Sequence, residues 1–140
     1  MAKSVVAFSL EEFDPTYTRV LIGNADFRNS QITDLGTLEV ITGNASFNNS
    51  QVENLGNLTM IGGNVYFSYS QVADLGNLTT IKGIAYFQNS QVESLGNLTK
   101  IGGDADFSDS QVKDLGNLTT IGGNLTTIGG YAIFQNQHYH

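Results

Sequence analysis

The amino-acid sequence predicts a mainly β protein, a right-handed parallel solenoid with one short strand per twenty-residue turn. Three observations carry this expectation. From Leu21 to Ile121 the chain repeats every twenty residues without slippage, and Phe27, Phe47, Phe67, Phe87 and Phe107 mark the beat. A serine follows each Phe three residues later, at Ser30, Ser50, Ser70, Ser90 and Ser110, and opens a Ser-Gln-Val/Ile triplet. Leu-Gly-x-Leu comes next, from Leu35–Leu38 through Leu115–Leu118. A fixed period of this length marks a stack of units, none of which can bury its apolar face alone.

Residues 1–20 stand outside the repeat and read as an amino-terminal cap. The apolar run Val5–Phe8 predicts a strand or a short helix there. Ser9 and Glu12 have capping-box spacing, and Pro15 sets a limit shortly after. The first turn of a solenoid otherwise exposes its core and its strand edge, so a cap is needed. Residues 21–140 form the solenoid: five full repeats, a seven-residue duplication at 124–130 and one partial repeat. All 140 residues belong to one domain.

Within the turn from Ile41 to Met60, the residues Ile41, Gly43, Ala45 and Phe47 alternate with Thr42, Asn44, Ser46 and Asn48. Period two is the pattern of a strand with one buried face. Gly43 and Ala45 are expected to face inward and leave room for Phe47. After Phe47 the spacing changes to two or three, at Ser50, Val52, Leu55, Leu58 and Ile61, as along a curved return. The inward serine hydroxyl is expected to be satisfied by backbone groups of neighbouring turns.

The pattern Ala45-x-Phe47-x-x-Ser50-x-Val52-x-x-Leu55-x-x-Leu58-x-x-Ile61 resembles the leucine-rich repeat in its short bacterial form. The resemblance runs from about Leu21 onward. Ala and Phe stand in place of two leucines, and Ser in place of the ladder asparagine. It implies a parallel sheet on one side of the molecule, with binding through that side.

At the carboxy-terminal end, Asn117–Gly123 is copied verbatim as Asn124–Gly130, so the next Phe arrives seven residues late at Phe134. The copy is expected to bulge from the last return or to serve as a cap. Ile128, Gly130, Ala132 and Phe134 read as a last strand, with Tyr131, Ile133 and Tyr139 nearby and no Lys or Arg after Lys113. An unprotected apolar edge invites pairing. A homodimer through this end is expected, with a tail folded back as its own cap as the alternative.

The net charge of −7 argues against direct contact with nucleic acid or an anionic membrane, both of which need a basic footprint. It favours a partner protein with a basic surface, and it also keeps a solenoid soluble. Cysteine is absent, which excludes disulfides and Cys-based metal sites. The amino-terminal apolar run is too short for a signal peptide and no segment is long enough to span a bilayer, so a cytoplasmic location is expected. The Asn-x-Thr sequons at Asn57, Asn77, Asn97, Asn117 and Asn124 recur because the repeat recurs.

Function is sought where copies differ at one outward position. Tyr66, Tyr69, Ile84 and Tyr86 depart from the neutral polar consensus and form the candidate contact core, with Asp104, Asp106 and Asp109 at its rim. Tyrosine is enriched at interface hot spots, while cross-strand aromatic pairing that stabilises an exposed sheet accounts for the same residues. The three Asp also suggest calcium, against a solvated acidic edge. His138 and His140 lie at the terminus, and no cofactor is expected. Thr59, Thr79, Thr99 and Thr119 form a column, doubled by Thr80 and Thr120, that suggests an ice-binding face or only a β-tolerant position. No nucleophile with a placed base is visible, so catalysis is not expected. Three functions remain: a protein-binding module acting through the strand face, a small acidic phage-type inhibitor of a nucleic-acid-handling enzyme (an anti-defence or anti-CRISPR protein), and a surface or ice-binding solenoid.

Overall fold

The structure, a computed structural model, describes residues 4–126. They form a parallel β-solenoid of about five turns, with no helix among them. The extended stretch of each turn alternates inside and outside as the period-two pattern requires. It bends midway, at 42–43 in the second turn, and its two halves join separate ladders.

The first halves are β1 (Val6–Ala7), β2 (Val20–Leu21), β4 (Val40–Ile41), β6 (Met60–Ile61), β8 (Thr80–Ile81), β10 (Lys100–Ile101) and β12 (Thr120–Ile121). They build a seven-stranded parallel sheet in that order. The second halves are β3 (Ala25–Asp26), β5 (Ala45–Ser46), β7 (Val65–Tyr66), β9 (Ala85–Tyr86), β11 (Ala105–Asp106) and β13 (Leu125–Thr126), and they build a six-stranded sheet. On the return, bridges at Asp34–Asn54, Asp74–Ser94 and Ser94–Asp114 tie successive turns on a third side.

Every repeat pairs with the next at a shift of twenty, as in Val40 with Met60 and Tyr66 with Tyr86. Identical side chains therefore stack in columns. The Phe column is wholly buried, and its rings lie 5.0–5.3 Å apart, centroid to centroid, and nearly parallel. Ile41, Ala45, Val52, Leu55, Leu58 and their equivalents fill the rest of the core.

Gly43 does not face inward. It sits half-exposed at the bend, and its equivalent Gly63 shows why glycine is needed there. A Cβ on Gly63 would collide with the Asn44 side chain and lie 2.9 Å from the Asn44 nitrogen. That side chain is part of a ladder. Asn24 Oδ1 accepts the Asn44 N–H, Asn44 Oδ1 the Asn64 N–H, and Asn64 Oδ1 the Ile84 N–H, each at 2.8 Å. Room for the neighbour's amide, rather than for Phe, keeps the position small.

The serine hydroxyls also differ from expectation. Ser30 Oγ donates to Phe27 O of its own turn at 3.1 Å, and Ser50 Oγ accepts the Val52 N–H only at 3.4 Å. Ser70 and Ser90 Oγ are buried with no partner. The corner backbone is engaged in the rung ladder, as in Asn49 N–H to Ser68 O and Tyr69 N–H to Asn89 O.

At the amino-terminal end, Val5–Phe8 resolves into strand rather than helix. β1 pairs with β2 at a shift of fourteen residues, Val6 with Val20, so this first turn is shorter than the rest. The Ser9–Glu12 segment makes single turns, in which the Glu12 carboxylate accepts the Phe8 N–H at 2.9 Å. Phe13 and Ala7 enter the core, and Pro15 O accepts the Thr37 N–H on the return side. The six-stranded sheet gains no such rung, and β3 is its edge. Charge protects that edge, since Arg28 grips Asp26 at 2.7 Å.

At the other end, the start of the duplicated heptad does not bulge. Asn124–Thr126 continue the register as β13, with Leu125 in the alanine column opposite Ala105. The strand foreseen at Ile128–Phe134, the end-to-end dimer it suggested, and Tyr131, Ile133, His138, Tyr139 and His140 lie outside the described residues.

Candidate functional site

Alternation on the six-stranded sheet places one residue per strand inward and the next outward. The outward column runs, in register, Asp26, Ser46, Tyr66, Tyr86 and Asp106. Tyr66 and Tyr86 stack with ring centroids 4.9 Å apart and planes 6° from parallel, both half-exposed. The separation matches the rung spacing, so the rings follow the backbone register without distortion. Asn64 Nδ2 reaches the Tyr66 hydroxyl at 3.5 Å.

The other candidates fall into three distinct settings. Tyr69 lies at the corner after the Phe column, in a turn closed by Ser70 N–H to Phe67 O at 3.2 Å. Its φ is +55°, a left-handed conformation that Asn49, Asn89 and Asp109 share at the same place. Asn and Asp tolerate that region and a bulky aromatic rarely does. The residue is 62% exposed and lines a shallow depression with Asn49, Gln51, Glu53 and Gln71, towards the return side. Ile84 and Asp104 occupy the asparagine-ladder column. The Ile84 N–H donates to Asn64 Oδ1, but the Ile84 side chain offers no acceptor, so the ladder lapses there. It resumes when Asp104 Oδ1 accepts the Asn124 N–H at 2.8 Å.

Asp106 alone of the three acids stands directly beside the stack, in register with Tyr86. Its Oδ1 accepts both the Ser108 N–H, at 2.9 Å, and the Ser108 hydroxyl, at 2.6 Å. Asp109 is exposed at its own corner, with φ +52°. The Asp104 and Asp106 carboxylates thus serve separate backbone sites, and no group of three His, Asp or Glu able to hold a metal occurs among the described residues. The threonine column is likewise engaged in the scaffold. Thr59, Thr79, Thr99 and Thr119 each donate their hydroxyl to a carbonyl of the turn before, at 3.1–3.2 Å.

Charge is segregated by face. The seven-stranded side carries Arg19, Lys82 and Lys100 against Glu39, whereas the six-stranded side carries Asp26, Asp104, Asp106 and Asp109 against Arg28. The Arg28 guanidinium, hydrogen-bonded to Asp26, holds that carboxyl below its ordinary pKa.

A second surface escapes the sequence reading. Phe8, Val5 and Ile22 are 67%, 43% and 39% exposed at the amino-terminal end of the seven-stranded sheet, beside outward Val20, Val40 and Met60. The signal was present: Ile22 departs from Thr42, Gly62, Lys82 and Gly102 at one repeat position, as Tyr66 departs at another. No helix among the described residues is long and apolar enough to cross a membrane. Comparison with protein-family models, with curated proteins and with solved structures finds no match to this chain.

Proposed function

We propose that this chain is a non-catalytic repeat module that binds another protein through the outer face of its six-stranded sheet. Tyr66, Ile84 and Tyr86 form the contact core, Tyr69 extends it at the corner towards the return, and Asp104, Asp106 and Asp109 form the acidic rim. The observation that carries this reading is the Tyr66–Tyr86 stack. The scaffold does not require it, because Ser46 and Asp106 occupy the same outward column in turns of the same geometry. Tyr69 supports it independently, as an aromatic held in a conformation that suits Asn. The leucine-rich-repeat resemblance points to the same mode of action, a strand face that binds, and we place the module in the cytoplasm.

Replacing both Tyr66 and Tyr86 with Ala should leave the far-ultraviolet circular dichroism unchanged and abolish capture of a partner identified by affinity purification. Retention of that partner, with loss on changing return-face residues such as Glu53 and Glu93, would move the site to the return.

The charge segregation favours a second reading, a small acidic inhibitor that occupies the basic channel of a nucleic-acid-handling enzyme. Its partner would be displaced by added duplex or single-stranded nucleic acid; a partner indifferent to nucleic acid excludes it.

A further inference from the structure

The outer column of the six-stranded sheet carries a carboxylate in two turns, at Asp26 and at Asp106, and the protein treats them differently. In the first, Arg28 folds back from two residues on. Its backbone N–H donates to Asp26 Oδ1 at 3.1 Å, Nε donates to Oδ1 at 2.9 Å, and Nη2 donates to Oδ2 at 2.7 Å. The carboxylate is oriented by the backbone and then gripped by a fork of two guanidinium donors, the strong geometry for this pair.

The same backbone arrangement recurs four turns later, where the Ser108 N–H donates to Asp106 Oδ1 at 2.9 Å. The residue two on is now serine, and its short hydroxyl takes the same oxygen. Among the described residues Asp106 has no salt bridge, and no Lys or Arg stands at an outward position of this sheet after Arg28. Asp106 is therefore held as Asp26 is held, without the guanidinium.

What Asp106 has instead is an aromatic neighbour. Tyr86 lies one rung away in register, and its partner Tyr66 covers only one side of the ring. A planar group seated over the Asp106 rung would rest about 4.8 Å from the uncovered side of Tyr86. Guanidinium satisfies both surfaces at once, stacking on the ring and donating a pair of N–H groups to the carboxylate. An ammonium has neither the plane nor the fork.

We propose that the partner inserts an arginine side chain over the Asp106 rung, stacked on Tyr86, as the outside counterpart of Arg28 on Asp26. This rests on the assignment of the outer strand face as the binding surface, and names the residue type that surface reads.

The test uses N-acetyl-arginine amide and N-acetyl-lysine amide as probes, titrated into the isotope-labelled full chain and followed by nuclear magnetic resonance. Arginine should shift Tyr86, Asp106 and Ser108 signals, and lysine should bind roughly fivefold or more weakly. Asp106→Asn should abolish the response. Ser108→Arg should also abolish it, by filling the site in the manner of Arg28, and should leave the remaining spectrum unchanged. Equal responses to the two probes, shifts centred elsewhere, or a Ser108→Arg variant that still binds would each overturn the proposal. The two readings fail separately. A partner lost in the Tyr66→Ala/Tyr86→Ala double variant but kept in Asp106→Asn and Ser108→Arg would leave the face standing without the arginine. A partner kept in all three variants would remove the face itself.

Discussion

The two sides of the six-stranded sheet differ by one residue along the chain and obey different rules. Inward, Ala25, Ala45, Val65, Ala85 and Ala105 are all 2% exposed or less and almost invariant. Outward, one position on, the column reads Asp26, Ser46, Tyr66, Tyr86 and Asp106. Stacking at a shift of twenty forces each inward side chain to meet its own copy above and below, so any change in volume is felt twice. Outward side chains meet their copies on two sides and water on the third, and can vary at little cost. Uniformity inside describes the scaffold, and divergence outside describes what the scaffold presents.

That contrast breaks most sharply at Phe67. It stacks between Phe47 and Phe87, with no exposed surface. Phe67→Ala should destabilise the fold by about 3–5 kcal/mol, through lost transfer energy and a residual cavity. Chemical denaturation measures it, and a midpoint like that of the parent would mean the column is not the spine.

A smaller effect is expected from the asparagine ladder, which lies at the boundary between the two regimes. Asn44→Ala removes the acceptor of the Asn64 N–H. The loss should be about 1 kcal/mol, because the exposed amide recovers water in exchange. Faster hydrogen exchange at the Asn64 amide, without global unfolding, is the signature to measure.

The smallest change has the opposite sign. Ser70 Oγ is buried without a partner, whereas Ser30 Oγ bonds to Phe27 O. Ser70→Ala should therefore be neutral or stabilising by up to about 1 kcal/mol, and Ser30→Ala mildly destabilising. Melting temperatures of the two variants compared side by side would check the pair, and a clear loss in Ser70→Ala would show that its hydroxyl is satisfied after all.

Much of the scaffold was legible in the residues, and specific parts were not. Period and inward pattern located the solenoid and the Phe column, because volume and burial repeat visibly in sequence. The bend that divides each extended stretch was hidden, since Gly43 fits a buried small position and a corner equally well. The asparagine ladder was hidden too, because a side chain that bonds one turn away leaves no mark in its own neighbourhood. Tyr66 beside Tyr86 followed from register alone. The separation of Tyr69 from the stack did not, because it depends on a left-handed residue that the consensus Asn at that place only hints at. The pairing of Asp26 with Arg28 is likewise a matter of side-chain reach rather than spacing.

The stacked tyrosines have one more consequence, and it is optical. The chain has six tyrosines and no tryptophan, so no indole emission masks the phenol signals. Two parallel phenol rings with centroids 4.9 Å apart share their electronic excitation. The pair should give a coupled band in the near-ultraviolet circular dichroism that a single tyrosine would not. Any group that settles on the free side of Tyr86 adds a third member to that stack and alters the band. The surface thus carries its own chromophore, and its occupancy can be followed without a label.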